Sequence, residues 1–393
     1  MSTYRINEIK LADKLVLILG EAIKRPSAYP PGDTREICGW LADRLKAAGY
    51  TVDVLSRADN VDNVVARMGS GRPSLVFNTH IDTVGVGHRA EWLTEPFQAT
   101  EKDGLIFGLG AANCKGSTAV HLWLAEEIAR RGGPSNGEIV FTFVGDEENL
   151  GPNGMAFLGE ADHVDPDMLI LGAPTGNALI IAERGPMWVR ITTSGASAHA
   201  GAPDAGDNAV ERMIRLATRL IENLKPRLAG RRDGEMISTM SLGQFHGGNN
   251  TNVVPSDCWM EVDRRLIPSE SIDGAVAEID EILVAAGEPA DSWKLELLTG
   301  TPGFKAAPDG PAVTAFCEAI EARTGRAARF ANAVGASDGR HFAERGIEII
   351  NFGPGGGAGH AANESVPVDD MVESALIQLD LVNRLAKLRE IEV

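Results

Sequence analysis

Three adjacent acidic residues, Asp146, Glu147 and Glu148, follow an apolar run in the segment EIVFTFVGDEENLG. Neighbouring carboxylates repel one another, so their concentration at one point favours a bound cation. One carboxylate of such a cluster can bind a metal ion while its neighbour removes a proton from water. A solvated acidic turn is the alternative interpretation, and the other segments decide between the two.

A second apolar run, SLVFNTHIDTV, ends in His80 and Asp82. Residues two apart on an extended segment point their side chains to the same side. One nitrogen of an imidazole can bind a metal ion while a carboxylate orients the other nitrogen. His80 and Asp82 are therefore a candidate metal ligand and its orienting partner.

The overall composition narrows the function classes. The chain of 393 residues has a net charge of −18, which argues against nucleic acid or an anionic membrane as a partner. The first residues, MSTYRINEIK, lack the order of a signal peptide, and no run reaches the length of a membrane span. The four cysteines are widely spaced without a CxxC pair. We therefore expect a cytoplasmic protein.

The fold class follows from four segments in which an apolar run ends in polar residues or glycines: SLVFNTHID, EIVFTFVGDEEN, DMLILGAPTG and IEIINFGPGGG. A helix is predicted from about residue 115 to 131, between the first two. Strands alternating with helices predict an α/β fold with a mixed, mostly parallel sheet. Ligands of such sheets bind beyond the carboxyl ends of the strands. The polar residues expected there are Asp146, Glu147, Glu148, His80, Asp82, Asn113 and His360.

The middle of the chain has a different pattern. Predicted strands and helices over residues 186–294 follow one another in a β-α-β-β-α order. We therefore predict a separate α+β domain at 186–294, inserted into a domain formed by residues 1–185 and 295–393.

The order of ten short motifs adds a family resemblance. They include THIDTV, GLGAANCKG, GDEENLG, LGAPTG, SGASAHAG, TNVVPSD, VDRRLIP, GASDGR and GPGGGAGHAANESV. This order resembles the M20 metallopeptidase family, which includes acetylornithine deacetylases, succinyl-diaminopimelate desuccinylases and carboxypeptidase G2-like enzymes. The resemblance implies a catalytic α/β domain with a pair of divalent metal ions, usually zinc. It also implies a ferredoxin-like inserted domain that acts as lid and dimerisation surface, hence a homodimer or a higher homo-oligomer.

The resemblance also implies roles for individual residues. His80, Glu148 and His360 resemble metal ligands, and Asp82 resembles the partner that orients His80. Glu147 resembles the general base. The remaining implied positions are His199, which would stabilise the developing oxyanion, and Asn252, Arg265, Gly355 and Gly356, which would contact the substrate.

Two positions depart from the family pattern. Asn113 stands where the family has an aspartate that bridges both metal ions, and Ala173 stands where it has an acidic ligand. Both changes remove negative charge, and a neutral amide oxygen is a weaker zinc ligand than a carboxylate. We therefore expect one tightly held divalent metal ion per chain, with manganese, iron and cobalt as candidates beside zinc.

Three functions remain open at this point. The first is hydrolysis of a C–N bond in a small molecule, an amide such as an N-acyl amino acid, with Glu147 activating water at a mononuclear site. The second is hydrolytic deamination of a chelating aromatic amine such as a nitroanthranilate, because the missing carboxylates leave room for a chelating substrate. The third is a non-catalytic binding protein of M20 descent or an inactivated variant.

Overall fold

The computed structural model describes residues 6–333, 335–356 and 359–388. Within them the helices are α1 (Glu8–Ile23), α2 (Arg35–Ala47), α3 (Gly116–Arg130), α4 (Met155–Glu160), α5 (Ala209–Ala229), α6 (Ile272–Val284), α7 (Pro311–Thr324) and α8 (Val368–Ala386). Short helical turns lie at Arg89–Glu91, Ala111–Lys115, Pro203–Ala205 and Asp338–Arg345. None of these helices combines the length and the apolar character that crossing a membrane requires.

The strands are short, and few exceed nine residues. They are β1 (Ala28–Tyr29), β2 (Thr51–Ala58), β3 (Val61–Gly69), β4 (Ser74–His80), β5 (Thr83–Val84), β6 (Thr100–Lys102), β7 (Leu105–Phe107), β8 (Glu138–Val144), β9 (Met168–Leu171), β10 (Ala182–Glu183), β11 (Gly185–Ser194), β12 (Arg232–Asp233), β13 (Met236–Ile237), β14 (Thr239–Gly247), β15 (Asp257–Leu266), β16 (Trp293–Gly300), β17 (Phe304–Lys305), β18 (Glu348–Asn351) and β19 (Ser365–Pro367).

The chain forms two compact units. The first comprises the described residues up to Ile181, Ala306–Ala331 and those from Ser337 onward. The second comprises Ala182–Lys305 and Asn332–Ala336. The second unit extends beyond the expected end at residue 294, because β16 is a strand of its sheet.

A six-stranded mixed sheet forms the centre of the first unit, in the order β18-β9-β4-β8-β3-β2. The first four strands are mutually parallel, while β3 runs antiparallel to both β8 and β2. This confirms the predicted α/β class with a mixed, mostly parallel sheet. His80 lies opposite Val144, so β4 and β8 end at the same edge of the sheet.

The sequence explains why β4 and β8 lie in the middle. All seven residues of β4 are buried, as are all residues of β8 after the first. Strands covered on both faces are expected to be apolar throughout. Phe77 and Phe141 stack at a centroid distance of 5.2 Å in a core that also includes Leu15 and Leu19 of α1 and Phe316 of α7.

The second unit has a four-stranded antiparallel sheet in the order β14-β15-β11-β16. Its elements follow one another as β11-α5-β14-β15-α6-β16, the β-α-β-β-α-β order of a ferredoxin-like domain. Alternate residues of β15 are buried, and the buried set packs with α5 and α6 in a core of its own. Asn208 caps α5 by accepting hydrogen bonds from the N–H groups of Val210 and Glu211.

Candidate metal centre

His80 lies at the carboxyl end of β4, and its ring contacts two other predicted site residues, Asp82 and Asn113. Its Nδ1 is 3.1 Å from the carbonyl oxygen of Asp82 and 3.5 Å from the Asp82 carboxylate Oδ1. The other carboxylate oxygen of Asp82 accepts a hydrogen bond of 3.0 Å from the N–H of Glu148. Asp82 therefore connects the His80 ring to the backbone of the acidic segment.

Asn113 occupies the middle of the centre. It lies in the irregular turn Ala111–Lys115 just before α3, and its Oδ1 is 3.2 Å from His80 Nε2. Its Nδ2 donates to Glu148 Oε1 at 2.9 Å and lies 2.9 Å from His360 Nε2. The amide thus spans two groups of side chains, with its oxygen toward one group and its nitrogen toward the other.

Glu148 and His360 form the second of these groups. Glu148 Oε1 lies 2.9 Å from His360 Nε2, although the two residues are far apart in the chain. The Glu148 side chain is only 4% exposed, whereas that of His360 is 53% exposed. The hydrogen bond to the Glu148 carboxylate raises the pKa of His360. We call Asn113, Glu148 and His360 the Glu148 half of the centre, and His80, Asp82 and Ala173 the His80 half.

Glu147, the predicted general base, lies between two cationic groups. Its Oε1 accepts a hydrogen bond of 3.3 Å from Arg340 Nη1, and its Oε2 is 4.0 Å from His80 Nε2. The side chain is 11% exposed, and burial raises the pKa of Glu147 to about 7, against the opposing effect of His80 and Arg340. A carboxylate with a pKa near neutrality is suited to accept and return a proton.

Arg340 is a functional candidate that the sequence reasoning missed. It lies in the helical turn Asp338–Arg345 and its side chain is 2% exposed. Its Nη2 lies 4.0 Å from the carboxylate of Asp338, which in turn accepts a hydrogen bond of 3.0 Å from Asn78 of β4. The GASDGR motif was the only available signal, and it did not indicate which side chain the arginine would contact.

Glu364 was also missed. Its carboxylate is buried and accepts hydrogen bonds from the backbone N–H groups of Gly110, Ala112 and Asn113. The acidic residue is visible in GHAANESV, but its partners lie more than 250 positions earlier in the chain.

Several other residues do not join the donor set. The Cys114 thiol donates to the carbonyl oxygen of Gly172 at 2.9 Å. Asp167 accepts a hydrogen bond from the N–H of Ser74, so it lies at the amino end of β4, opposite to the end that carries His80. Ala173 follows β9 and offers only a methyl group.

The arrangement of donor atoms is compatible with a divalent metal ion. Among the described residues, His80, Glu147 and Glu148 each offer a potential ligand atom within 4.8 Å of the others. His360 adds an imidazole next to Glu148. Imidazole and carboxylate groups are common ligands of zinc and of other first-row transition metals. The residues present therefore fit such an ion. In the His80 half, the Asp82 carboxylate is directed to His80 Nδ1 and to the N–H of Glu148, so it orients the imidazole instead of adding a donor.

The remaining predicted substrate residues divide between the two units. In the second unit, His199 is exposed, and its Nδ1 accepts a hydrogen bond of 3.0 Å from the N–H of Gly201. Asn252 accepts from the N–H of Ala200 through its carbonyl oxygen, and Arg265 pairs with Asp263. Their contact with substrate stays a prediction.

In the first unit, Gly355 has a φ of +76°, a conformation that favours glycine, and its N–H donates to an Asp370 carboxylate oxygen at 3.3 Å. The next residue, Gly356, is exposed. Backbone groups of both residues are free of a bulky side chain, as close approach to a substrate would require. Their role in substrate binding also stays a prediction.

Comparison with proteins of known sequence supports the resemblance. A succinyl-diaminopimelate desuccinylase from Bordetella petrii is 32% identical over 366 residues, covering 90% of this chain and 93% of the relative. A succinyl-diaminopimelate desuccinylase from Methylorubrum populi is 31% identical over 375 residues, covering 92% of this chain and 96% of the relative.

Solved structures share the fold. A tripeptidase from Staphylococcus aureus superposes with a TM-score of 0.77 at 24% identity, covering 97% of this chain and 99% of that chain. An M20 family dinuclear metal-binding peptidase from Bacillus subtilis gives a TM-score of 0.72 at 14% identity, covering 97% of this chain and 99% of that chain. The model of peptidase family M20/M25/M40 matches residues 76–384. The chain therefore belongs to peptidase family M20/M25/M40 and is a metal-dependent hydrolase.

Proposed function

We propose that this protein hydrolyses the amide bond of an N-acyl amino acid with one divalent transition metal ion per chain, zinc, manganese, iron or cobalt. The observation that carries the proposal is the position of Glu147. This carboxylate, with a pKa of about 7, lies between His80 and Arg340 and next to the donors of the Glu148 half. A scaffold that only binds a ligand does not need a base in this position.

Glu148 and His360 would hold the metal ion, and rotation of the neighbouring Asn113 amide would let its oxygen join them. When bound, a divalent ion polarises the amide carbonyl and lowers the pKa of water. Glu147 accepts the proton of the attacking water and delivers it to the leaving amine nitrogen. Arg340 holds the Glu147 carboxylate through Oε1, which leaves Oε2 to take the proton. To His199 we assign stabilisation of the negative charge on the carbonyl oxygen.

A single ion is proposed because the charge that would hold two is missing. Two dications close together repel strongly, and a bridging carboxylate offsets this repulsion. Asn113 is neutral, and Ala173 offers no ligand atom. In addition, the guanidinium of Arg340 already places a fixed positive charge beside Glu147, close to the His80 half.

The relatives are a better guide to the substrate class than to the number of metal ions. Relatives that are 31–32% identical over 90–92% of this chain are succinyl-diaminopimelate desuccinylases. An N-succinyl amino acid is therefore the first substrate to test, with Asn252, Arg265, Gly355 and Gly356 as the proposed recognition groups.

The second candidate function is hydrolytic deamination of a chelating aromatic amine. The observation that favours it is the methyl group of Ala173, which gives the His80 half no acidic ligand, so that a chelating substrate could supply donors instead. An aromatic ring with adjacent amine and carboxylate groups carries two such donors. Hydrolysis of an N-acyl substrate does not require them.

The test is a substrate panel with the purified protein in the presence of each metal ion. N-succinyl and N-acetyl amino acids are compared with ortho-amino benzoates, and the release of amine or ammonia is measured. Glu147→Gln is expected to lower kcat by about a hundred- to ten-thousandfold, the usual contribution of a general base. Glu160→Gln, which removes an exposed carboxylate paired with Arg57, serves as the matched control.

The outcomes separate the functions. Amine release from N-acyl amino acids that depends on Glu147 supports the first proposal, and ammonia release from the aromatic amines supports the second. Binding of a panel member without turnover, unaffected by Glu147→Gln, would identify a binding protein instead.

We also propose a homodimer through the second unit and a cytoplasmic location. Strand β14 is an edge strand, and Phe245 on it is 43% exposed, so a second copy could extend the sheet there. The four cysteines are free thiols, as expected in a reducing compartment. Sedimentation of the wild-type protein and of Phe245→Lys tests the dimer.

A further inference from the structure

Glu364 occupies a distinctive position at the start of β19. That strand pairs antiparallel with β7, with Ser365 opposite Phe107. The pairing continues by one step, because the N–H of Gly108 donates to the carbonyl oxygen of Glu364 at 3.1 Å. Strand register therefore places the Glu364 side chain against the loop that follows β7 and leads to α3.

The carboxylate of Glu364 binds this loop through three backbone N–H groups. Its Oε2 accepts from Gly110 at 2.9 Å, and its Oε1 accepts from Ala112 at 3.0 Å and from Asn113 at 2.7 Å. The residue is 2% exposed, so water does not compete for these bonds. Hydrogen bonds to an ionised acceptor are stronger than those between neutral groups.

These contacts join two segments that carry metal donors. Asn113 belongs to the loop that Glu364 binds, and His360 lies four residues before Glu364 in the same segment as Glu364 itself. The Asn113 side chain in turn touches both Glu148 and His360. One carboxylate thus determines how two distant parts of the chain meet at the centre.

We propose that Glu364 is a positioning residue of the metal centre, which fixes the backbone of Asn113 so that its amide lies between His80 and the Glu148–His360 pair. This inference rests on the proposed metal-dependent function. We assign Glu364 no ligand role, because its buried carboxylate faces the backbone N–H groups of the loop through both oxygens.

The geometry explains why glutamate is required. Glutamine would direct an NH2 group at one or more of the three N–H donors, which would leave those donors buried without an acceptor. Loss of partners that orient metal ligands commonly costs about 10–100-fold in metal affinity. We therefore expect Glu364→Gln to weaken Mn²⁺ and Zn²⁺ binding by at least about tenfold. Aspartate is one methylene shorter, so Glu364→Asp should restore little of the affinity.

Glu348 offers a matched control. Its carboxylate also accepts backbone N–H groups, those of Ala312 at 2.9 Å and Val313 at 3.4 Å at the beginning of α7. Glu348→Gln therefore removes the same kind of interaction from the same unit without touching the donor set. Both variants should lower the melting temperature of the metal-free protein, but only Glu364→Gln should change metal affinity.

The experiment combines two measurements on the full chain. Isothermal titration of metal-free protein with Mn²⁺ and Zn²⁺ gives the affinity of wild type, Glu364→Gln, Glu364→Asp and Glu348→Gln. Hydrogen–deuterium exchange of the metal-free proteins gives the protection of residues 108–115. The proposal expects a specific loss of affinity and faster exchange of this loop in the Glu364 variants.

Two results would overturn the inference. One is a metal affinity of Glu364→Gln within about twofold of wild type, well below the expected loss. The other is an equal loss in Glu348→Gln, which would reduce Glu364 to a general contributor to stability. If wild type binds neither ion, the proposed function fails, and unchanged exchange of residues 108–115 in Glu364→Gln would then reject the positioning role independently.

Discussion

The two halves of the centre differ in the charge that they offer a cation. In the Glu148 half, a carboxylate and an imidazole lie 2.9 Å apart with the Asn113 amide in contact with both. In the His80 half, the Asp82 carboxylate is engaged by His80 Nδ1 and the Glu148 N–H, Ala173 offers no ligand atom, and the nearby Glu147 carboxylate is already paired with Arg340. The difference predicts that the Glu148 half holds a cation more tightly than the His80 half, with the proposed base Glu147 between them.

The largest expected effect is on metal affinity, when the imidazoles of His360 and His80 are removed one at a time. His360→Ala should weaken Mn²⁺ binding by more than the ~10–100-fold typical of an outer-sphere loss, because a direct donor disappears. His80→Ala should weaken it less, since His80 contacts the Asn113 oxygen rather than the Glu148–His360 pair. Isothermal titration measures both, with the exposed His88→Ala as control. A greater loss in His80→Ala would place the ion in the other half.

Adding carboxylates at positions 113 and 173 should make the two halves similar in their ability to hold a metal ion. Asn113→Asp combined with Ala173→Glu supplies the carboxylates that hold two ions against their mutual repulsion. Metal content by elemental analysis should rise from about one to about two ions per chain, as in dinuclear sites. An increase in amidase activity would indicate that the present site is a weakened amidase site. Loss of activity on the native substrate would indicate that Asn113 and Ala173 are adaptations to that substrate. An unchanged metal content would contradict the assignment of these two positions.

The smallest expected effect is on the free energy of unfolding, which sets the pH range in which metal binding by the two halves can be compared. His121 of α3 packs edge-on against Phe77, and burial lowers its pKa to about 3. An unfolded histidine titrates near 6.5, so between these values the unfolded chain binds a proton that the folded chain does not. Stability therefore falls as the pH drops through this window, by up to about 1.4 kcal/mol per pH unit.

His121→Asn should remove the contribution of His121 to this dependence, leaving that of His341, whose pKa burial also lowers to about 3. Urea unfolding at pH 7 and pH 5 should show a smaller difference for this variant than for wild type, with His88→Asn as the control at an exposed position. Equal pH dependence in wild type and His121→Asn would show that folding does not lower the pKa of His121. Metal loss from either half should be measured above the pH at which this destabilisation begins.

The sheet edge could be predicted from sequence because its signal is local. Apolar runs ending in polar residues identify β4 and β8, and parallel strands bring His80 and the acidic segment to one edge. The end of the inserted unit was less visible, since β16 mixes exposed and half-buried residues without an apolar run.

The partners of the site residues were beyond sequence reasoning. Arg340 contacts Glu147 across 193 positions, and Glu364 contacts Gly110 across 254 positions. Such hydrogen bonds depend on strand register and on the path of irregular turns, for which a single sequence carries no periodic signal. The departures from the family pattern that we infer at Asn113 and Ala173 rest, by contrast, on the local motifs GLGAANCKG and LGAPTG.

The way in which the second unit is joined has a consequence for protein engineering. Its first and last strands, β10 and β17, pair antiparallel, and the N–H of Ala306 donates to the carbonyl oxygen of Ile181 at 2.7 Å. The chain thus leaves the first unit after Ile181 and returns at Ala306 through two neighbouring backbones, while the short segment Asn332–Ala336 also belongs to the second unit. A short turn could bridge the gap between the two strands. The segment between them, exchanged together with Asn332–Ala336, can therefore be treated as a cassette, to be replaced by the corresponding segments of a relative without redesigning the sheet that carries the proposed base.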